Sequence, residues 1–411
     1  MSKIPENWEK TTFEKFISIK HGFAFKSEFF SEQGDYVLLT PGHFYEHGGF
    51  RDQKHKTKYY TGDIPNGYIL NKGSVLLAMT EQAAGLLGSA ISIPLDGKYL
   101  HNQRLGLISI TDPKRIDLNF IYLIYNSPDV RKQIAEQASG TKVKHTSPDR
   151  LRNVLVLLPP LPEQTKIAKI LSTWDKAITT TEHLIGNSQQ QKKSLMQSLL
   201  TGKKRLPGFE GEWNYTRLGE ISLLTAGATP LTSKKEYWDG DIPWMNSGEI
   251  NLKKVYEVTG RITELGLSNS SAKILPRDCL LIALAGQGKT RGTVALNKIE
   301  LCTNQSIAAA IFNPQKAYAE FIYQNMDSRY SELRSLSGGD GGRGGLNLSI
   351  LRSVEINLPP LPEQQKIAAV LTAADNEIEL LQKKLAFLKQ EKAALMQQLL
   401  TGKRRVNVET A

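Results

Sequence analysis

Thiol chemistry is nearly absent from this chain: Cys279 and Cys302 are its only two cysteines. Each lies in an apolar, strand-like run and reads as a buried free thiol. Two thiols cannot complete a zinc site alone, and nothing demands an oxidising compartment. Long apolar runs are missing too. No stretch approaches the roughly 20 residues of a membrane span, and the opening Met-Ser-Lys-Ile-Pro-Glu-Asn-Trp carries no signal-peptide core. The expectation is a cytoplasmic protein. His43, His47 and His55 lie close in sequence, but no carboxylate or thiol completes a metal set with them.

Catalytic signatures are equally scarce. Residues 283–290 (Ala-Leu-Ala-Gly-Gln-Gly-Lys-Thr) follow a strand and nearly spell a phosphate-binding loop, with alanine where the first glycine belongs. Such a loop opens a helix, whereas Arg291-Gly292-Thr-Val-Ala-Leu turns back into a strand, so a hairpin is expected here. Asn357-Leu-Pro-Pro-Leu is not the Asn/Asp-Pro-Pro-aromatic motif of an adenine methyltransferase. No acid–acid–Lys nuclease cluster and no nucleophile–base–acid arrangement stands out. The expectation is a chain without catalytic residues, metal or cofactor of its own.

What is present is positive charge and repetition. The chain has 411 residues, a formal net charge of +11 and a pI near 9.3. The length calls for two or three domains, and the charge favours a polyanionic partner, because Lys and Arg displace counterions from phosphates. Residues 158–205 (LPPLPEQTKIAKIL…LMQSLLTGKKR) and 358–405 (LPPLPEQQKIAAVL…LMQQLLTGKRR) align without a gap, and about half their positions are identical. Fainter repeats precede them: Trp8 with Trp213, Gly73-Ser-Val-Leu-Leu-Ala-Met with Asp278-Cys-Leu-Leu-Ile-Ala-Leu, and Asn102-Gln103 with Asn304-Gln305. The chain is a tandem duplication of a divergent globule and a shared helix.

Pro162 and Pro362 suit a first helical turn, Glu163 and Glu363 favour its positive end, and Gly202 and Gly402 are natural C-caps followed by Lys and Arg. Apolar residues recur at helical spacing: Ile167, Leu171, Trp174, Ile178, Leu195 and Leu199 in one segment, and Ile367, Leu371, Ile378, Leu381, Leu385, Leu388, Leu395 and Leu399 in the other. Each helix, of about 39 residues and roughly 58 Å, must bury one stripe. An antiparallel coiled coil does so; packing on the helix's own globule is the alternative. Gly186, Asn187 and the glutamines at 189–191 are places for the first helix to bend or fray. The globules read as mixed and rich in strands (36–39, 74–78, 90–93, 105–110), with short helices at 119–126 and 318–326. The fold class is α+β: two similar mixed globules joined by two long helices in a pseudo-twofold repeat. The division is 1–157, 158–205, 206–357 and 358–405, with a tail at 406–411.

The repeated LPPLPEQ…LMQ.LLTGK.R segment, with the linker Arg205-Leu-Pro-Gly-Phe-Glu-Gly-Glu-Trp213, resembles the conserved region of specificity subunits of type I restriction–modification systems. That resemblance implies that each globule is a target recognition domain for one half of an interrupted double-stranded DNA site, and that the helices set the gap. It also implies two modification subunits, which bind S-adenosylmethionine, and restriction subunits that use ATP and magnesium. The alternatives are a coiled-coil scaffold without DNA readout and a stand-alone methyltransferase or nuclease.

Base readout needs polar side chains at groove edges, and phosphate contact needs cations. In the first globule the candidates are His43, Tyr45, His47, Arg51, Lys54, Lys56, Lys58, Gln82, Arg104, Lys142, Lys144 and His145. In the second they are Lys234, Lys235, Tyr237, Trp238, Asn246, Ser247, Gln287, Lys289, Thr290, Arg291 and Arg343. The bland reading of each is a solvated loop. Asn102, Gln103, Asn304 and Gln305 recur in both halves, which favours a structural role over readout of different bases.

Overall fold

The structure, a computed structural model, describes residues 4–81, 85–140, 143–286, 290–336 and 345–408. The chain forms two compact units, residues 1–182 with 384–411, and residues 183–383. Each long helix serves both. The first, Leu161–Leu199, passes from one unit to the other after Glu182; the second, Leu361–Leu400, does so after Lys383. The sequence division follows globules and helices, whereas the compact units cut across both helices.

Both globules contain the same antiparallel sheet. In the first the strand order is Ile17–His21, Leu105–Ile110, Val75–Ala78, Ala90–Ser92. In the second it is Ser222–Ala226, Ile307–Phe312, Leu280–Ala283, Val294–Asn297, with Lys254–Val255 added in parallel at the edge. Registers correspond: His21 lies opposite Gly106 as Ala226 lies opposite Ala308. The central strands are continuous apolar runs because both of their faces are covered. Val75 and Leu77 join the core that holds Phe13 and Phe120, while Leu76 and Ala78 face Val37, Ile91 and Tyr99 on the other side. Leu280 and Ile282 likewise meet Phe321, and Leu281 and Ala283 meet Met245 and Ile250. The edge strand Ile17–His21 instead alternates, with Ile17 and Ile19 buried and Ser18 and Lys20 exposed.

Outside this sheet a smaller one recurs, with one antiparallel and one parallel pairing on its middle strand in both globules, and the first adds a strand at each edge. The first carries a five-stranded sheet (Phe30–Ser31, Tyr59–Tyr60, Tyr36–Leu38, Tyr99–Leu100, Ile69–Leu70), the second three strands (Gly260–Ile262, Trp238–Met245, Cys302–Thr303). The short helices form at Leu118–Tyr125 and Ala319–Ser328, close to their expected places. The segment that imitates a phosphate loop joins the two strands of a hairpin: Leu280–Ala283 and Val294–Asn297 pair antiparallel, and among the described residues no helix stands between them. Cys279 and Cys302 are buried and free, and desolvation pushes their thiols up to about 12 and about 11.

The repeated motif fastens each long helix to its own globule. Gln164 is fully buried; its Oε1 accepts from the Asp117 N–H at 3.0 Å, and its Nε2 donates to the Arg115 and Pro159 carbonyls. Gln364 does the same with Tyr318, Lys316 and Pro359. Glu163 is buried as well, accepting from Trp8 Nε1 at 3.1 Å and pairing with Arg405. Glu363 accepts from Trp213 Nε1 at 3.2 Å and pairs with Arg205 at 2.6 Å. The basic residues after each helix thus find the acid at the start of the other. Gly202 and Gly402 end their helices in the left-handed region, at φ +72° and +69°.

Within each unit the helix segments run antiparallel. In the first, Asp175 meets Lys392 at 2.6 Å and Glu182 meets Lys389 at 2.8 Å; in the second, Asp375 meets Lys192 at 2.5 Å. Ile167, Leu171, Leu199, Ile367, Leu371 and Leu399 are buried. Trp174, Ile178, Leu195, Ile378, Leu381, Leu385, Leu388 and Leu395 are half-buried. The end positions serve the globules too: Ile167 and Leu171 share a core with Phe120, Leu399 and Leu400, and Ile367 and Leu371 share one with Phe321, Leu199 and Leu200. Pairing and packing on the globule, alternatives in the sequence, are combined at these ends. The helix does not fray at Gly186, Asn187 and 189–191: Leu161–Leu199 is an unbroken α-helix. A glycine costs about 1 kcal/mol relative to alanine in a helix, too little to break an element of this length.

Candidate nucleic-acid interface

In the first globule three strand ends and a short antiparallel strand pair meet along one rim. The strand Ile17–His21 ends there, Leu105–Ile110 begins there, and Val75–Ala78 runs out there into Thr80 and Glu81. Lys144 and His145 pair antiparallel with Glu81 and Thr80. The links across the rim are backbone hydrogen bonds: Gly22 N–H to the Leu105 carbonyl, Met79 N–H to the Arg104 carbonyl, and Thr146 N–H to the Met79 carbonyl. Arg104, Lys144 and His145, named from the sequence, are therefore gathered and exposed. Lys20 and His21, which the sequence reading passed over, are exposed at the same rim. The signal for them was positional, since they close an edge strand just before Gly22. A Cβ at Gly22 would lie 2.1 Å from the Asn102 carbonyl oxygen, so only glycine permits this approach.

The loop carrying Tyr45, His47 and Arg51 is tied to the same region by Arg131. Its guanidinium donates to the carbonyls of Glu46 and Gly85, and burial lowers its pKa to about 10. Glu46, His47, Glu81, Gly85, Asn126 and Arg131 help line a cleft of ≈ 410 Å³. Tyr45 and His47 stack at 5.5 Å, and the Arg51 guanidinium lies 5.9 Å from the Tyr45 ring. Lys54, Lys56 and Lys58 are exposed elsewhere, beside the five-stranded sheet, with Lys58 5.8 Å from the Phe30 ring. His43 departs from the expectation of a surface reader. It is 2% exposed, its Nδ1 accepts from the Thr40 N–H at 3.1 Å, and burial lowers its pKa. It fastens a turn. Gln82 and Lys142 lie outside the described residues.

The second globule repeats the frame with other side chains. Leu284 N–H donates to the Ser306 carbonyl and Leu346 N–H to the Leu284 carbonyl, matching Met79, Arg104 and Thr146. Thr290 and Arg291, in the hairpin connection, are half-buried, while Gln287, Lys289 and Arg343 lie outside the described residues. Lys234 and Lys235 are exposed on a separate loop. Beside them Tyr237 is half-buried, and Trp238 meets Trp244 edge-on at 5.0 Å and donates to the Leu231 carbonyl. Asn246 is occupied as a cap: its Oδ1 accepts from Gly248 N–H and its Nδ2 donates to Glu249; Ser247 follows, half-buried. Asn102 and Asn304 hold equivalent turns, accepting from the N–H of Arg104 and Ser306. Among the described residues no group of three or more metal-ligating side chains occurs, and no helix is long and apolar enough to cross a membrane.

The profile of the type I restriction modification DNA specificity domain matches residues 5–187 and, a second time, residues 210–390. The chain belongs to the type I restriction–modification DNA specificity family. Among similar members is the putative type I restriction enzyme MjaX specificity subunit of Methanocaldococcus jannaschii, 26% identical over 322 residues, covering 75% of this chain and 72% of that one. The EcoR124I/EcoR124II specificity subunit of Escherichia coli is 27% identical over 305 residues, covering 68% and 72%. The crystal structure of a type I restriction–modification S subunit from M. genitalium shares the fold, with a TM-score of 0.65 over 97% of this chain and 98% of that one at 17% identity. Two specificity domains thus stand in tandem, and each match ends within one of the long helices.

Proposed function

We propose that this chain is the DNA sequence-specificity subunit of a type I restriction–modification complex, and that each globule reads one half of a bipartite, interrupted duplex target. The observation that carries the reading is the double match of the specificity domain to a duplicated chain whose sheets correspond while their edge strands and surface side chains differ. A shared frame with divergent surfaces is what two different half-sites require. The long helices set the gap and receive the modification subunits. The chain itself is non-catalytic; S-adenosylmethionine, ATP and magnesium belong to the modification and restriction subunits, in the cytoplasm.

The test is single-molecule sequencing of methylated adenines in cells carrying this chain and its modification subunit, against cells lacking only this chain. The expected result is a gapped two-part motif that disappears with the chain. Methylation without sequence preference, or a motif indifferent to the chain, would reject the reading.

A further inference from the structure

One rim of the first globule collects cations that have no carboxylate partner among the described residues. Lys20, Arg104 and Lys144 stand at the ends of neighbouring strands, with His21 and His145 between and beside them, all exposed. Among the described residues none of the three cations forms an ion pair with a carboxylate. The acid within the row, Glu81, is turned inward: it is 6% exposed, and its Oε2 accepts from the N–H groups of Leu86 and Leu87 at 2.8 Å. Lys20 is held rather than free, with its Nζ 4.2 Å from the centre of the Tyr68 ring, so less side-chain entropy remains to be lost on binding. The rim is also built to stay in place, because Gly22 packs against the backbone of Asn102 and because Asn102 closes the turn that presents Arg104.

We infer that this strand-end row, Lys20, His21, Arg104, Lys144 and His145, is a phosphate-holding surface that receives the backbone of the DNA duplex at the half-site read by the first globule. The inference rests on the specificity-subunit reading and adds to it the residues that position the duplex as opposed to reading its bases. Cations on a fixed sheet rim, without carboxylate partners, suit a row of phosphates, and contacts of this kind raise affinity for every sequence alike. At the positions matching Lys20, His21 and Arg104 the second globule has Thr225, Ala226 and Ser306, so these three side chains are not repeated there.

The experiment measures binding of the full chain to a random-sequence DNA duplex across a salt series. Each phosphate contact contributes about 0.9 to the slope of log affinity against log salt. Lys20→Gln with Arg104→Gln is expected to lower that slope by about 2, and Lys20→Arg with Arg104→Lys to keep it near the unaltered value. The control is Lys15→Gln with Lys114→Gln, which removes the same charge from exposed positions at the opposite end of the same two strands; it should leave the slope unchanged. A row variant with the unaltered slope, or a control with the same loss, overturns the inference. If the unaltered chain directs a gapped methylation motif and the row variant keeps its slope, only this inference falls. If neither the unaltered chain nor its complex with the modification subunits binds duplex, the specificity reading falls with it.

Discussion

Single residues divide into those that hold the fold and those that face outward, and burial separates them. Gln164 and Gln364 look like surface amides in the sequence, yet both are fully buried and make the same three hydrogen bonds. An unpaired buried polar group costs about 1–3 kcal/mol, which explains why the motif carries an amide with both donor and acceptor. His101 is a second case. It is fully buried between the outer sheet and the rim, its Nε2 lies 2.9 Å from the Leu105 carbonyl, and desolvation lowers its pKa to about 4. The unfolded chain, titrating near 6.5, therefore takes up a proton first, so this contribution to stability is full above about pH 6.5 and is lost as the pH falls towards 4. The expected loss attributable to His101 is about 3 kcal/mol across that window. Denaturant titrations at pH 7 and pH 4.5 would measure it. His101→Thr, which installs the residue found at the matching Thr303, should flatten the dependence; an unchanged dependence would assign it to other groups, such as His43, whose pKa shifts in the same direction.

At the level of elements, periodicity and caps in the sequence located both long helices, and Leu161–Leu199 and Leu361–Leu400 form where Pro162, Pro362, Gly202 and Gly402 placed their ends. The inner strands were legible for the same reason, as short apolar runs between turns. The frayed segment around Gly186 was misread, because local propensity is weak against the cooperativity of a long helix. The ion pairs between helix segments were not legible, since they join residues about 200 apart in the chain. They are testable as a pair. Asp175→Lys puts two cations together and should lower the melting temperature of the first unit by about 2–4 °C, while Asp175→Lys with Lys392→Asp restores it. Calorimetry of the full chain reads both, and failure of the double variant to recover would show that Asp175 matters for some other contact, such as the half-buried Tyr122 phenol, whose pKa is raised by desolvation and then by the Asp175 charge.

For the whole molecule, the proposed role makes the long helices a ruler. Inserting seven residues after Glu182 and seven after Lys383 keeps the apolar register and adds about 10 Å to each helix, roughly three base pairs of duplex at about 3.4 Å per step. The methylation motif should keep both halves and widen its gap by about that amount; an unchanged gap would refute the ruler. Duplication, helix limits and family were determined by the sequence alone, because they reside in local pattern and in similarity between two segments of one chain. Which polar residues face outward was decided only by tertiary structure. His43 and the loop residues 45–58 share one polar stretch, yet His43 is buried and Arg51 exposed, and Lys20, Arg104 and Lys144 become neighbours through strand pairing. Burial and neighbourhood are set by contacts between residues far apart in the chain, and no local pattern encodes them.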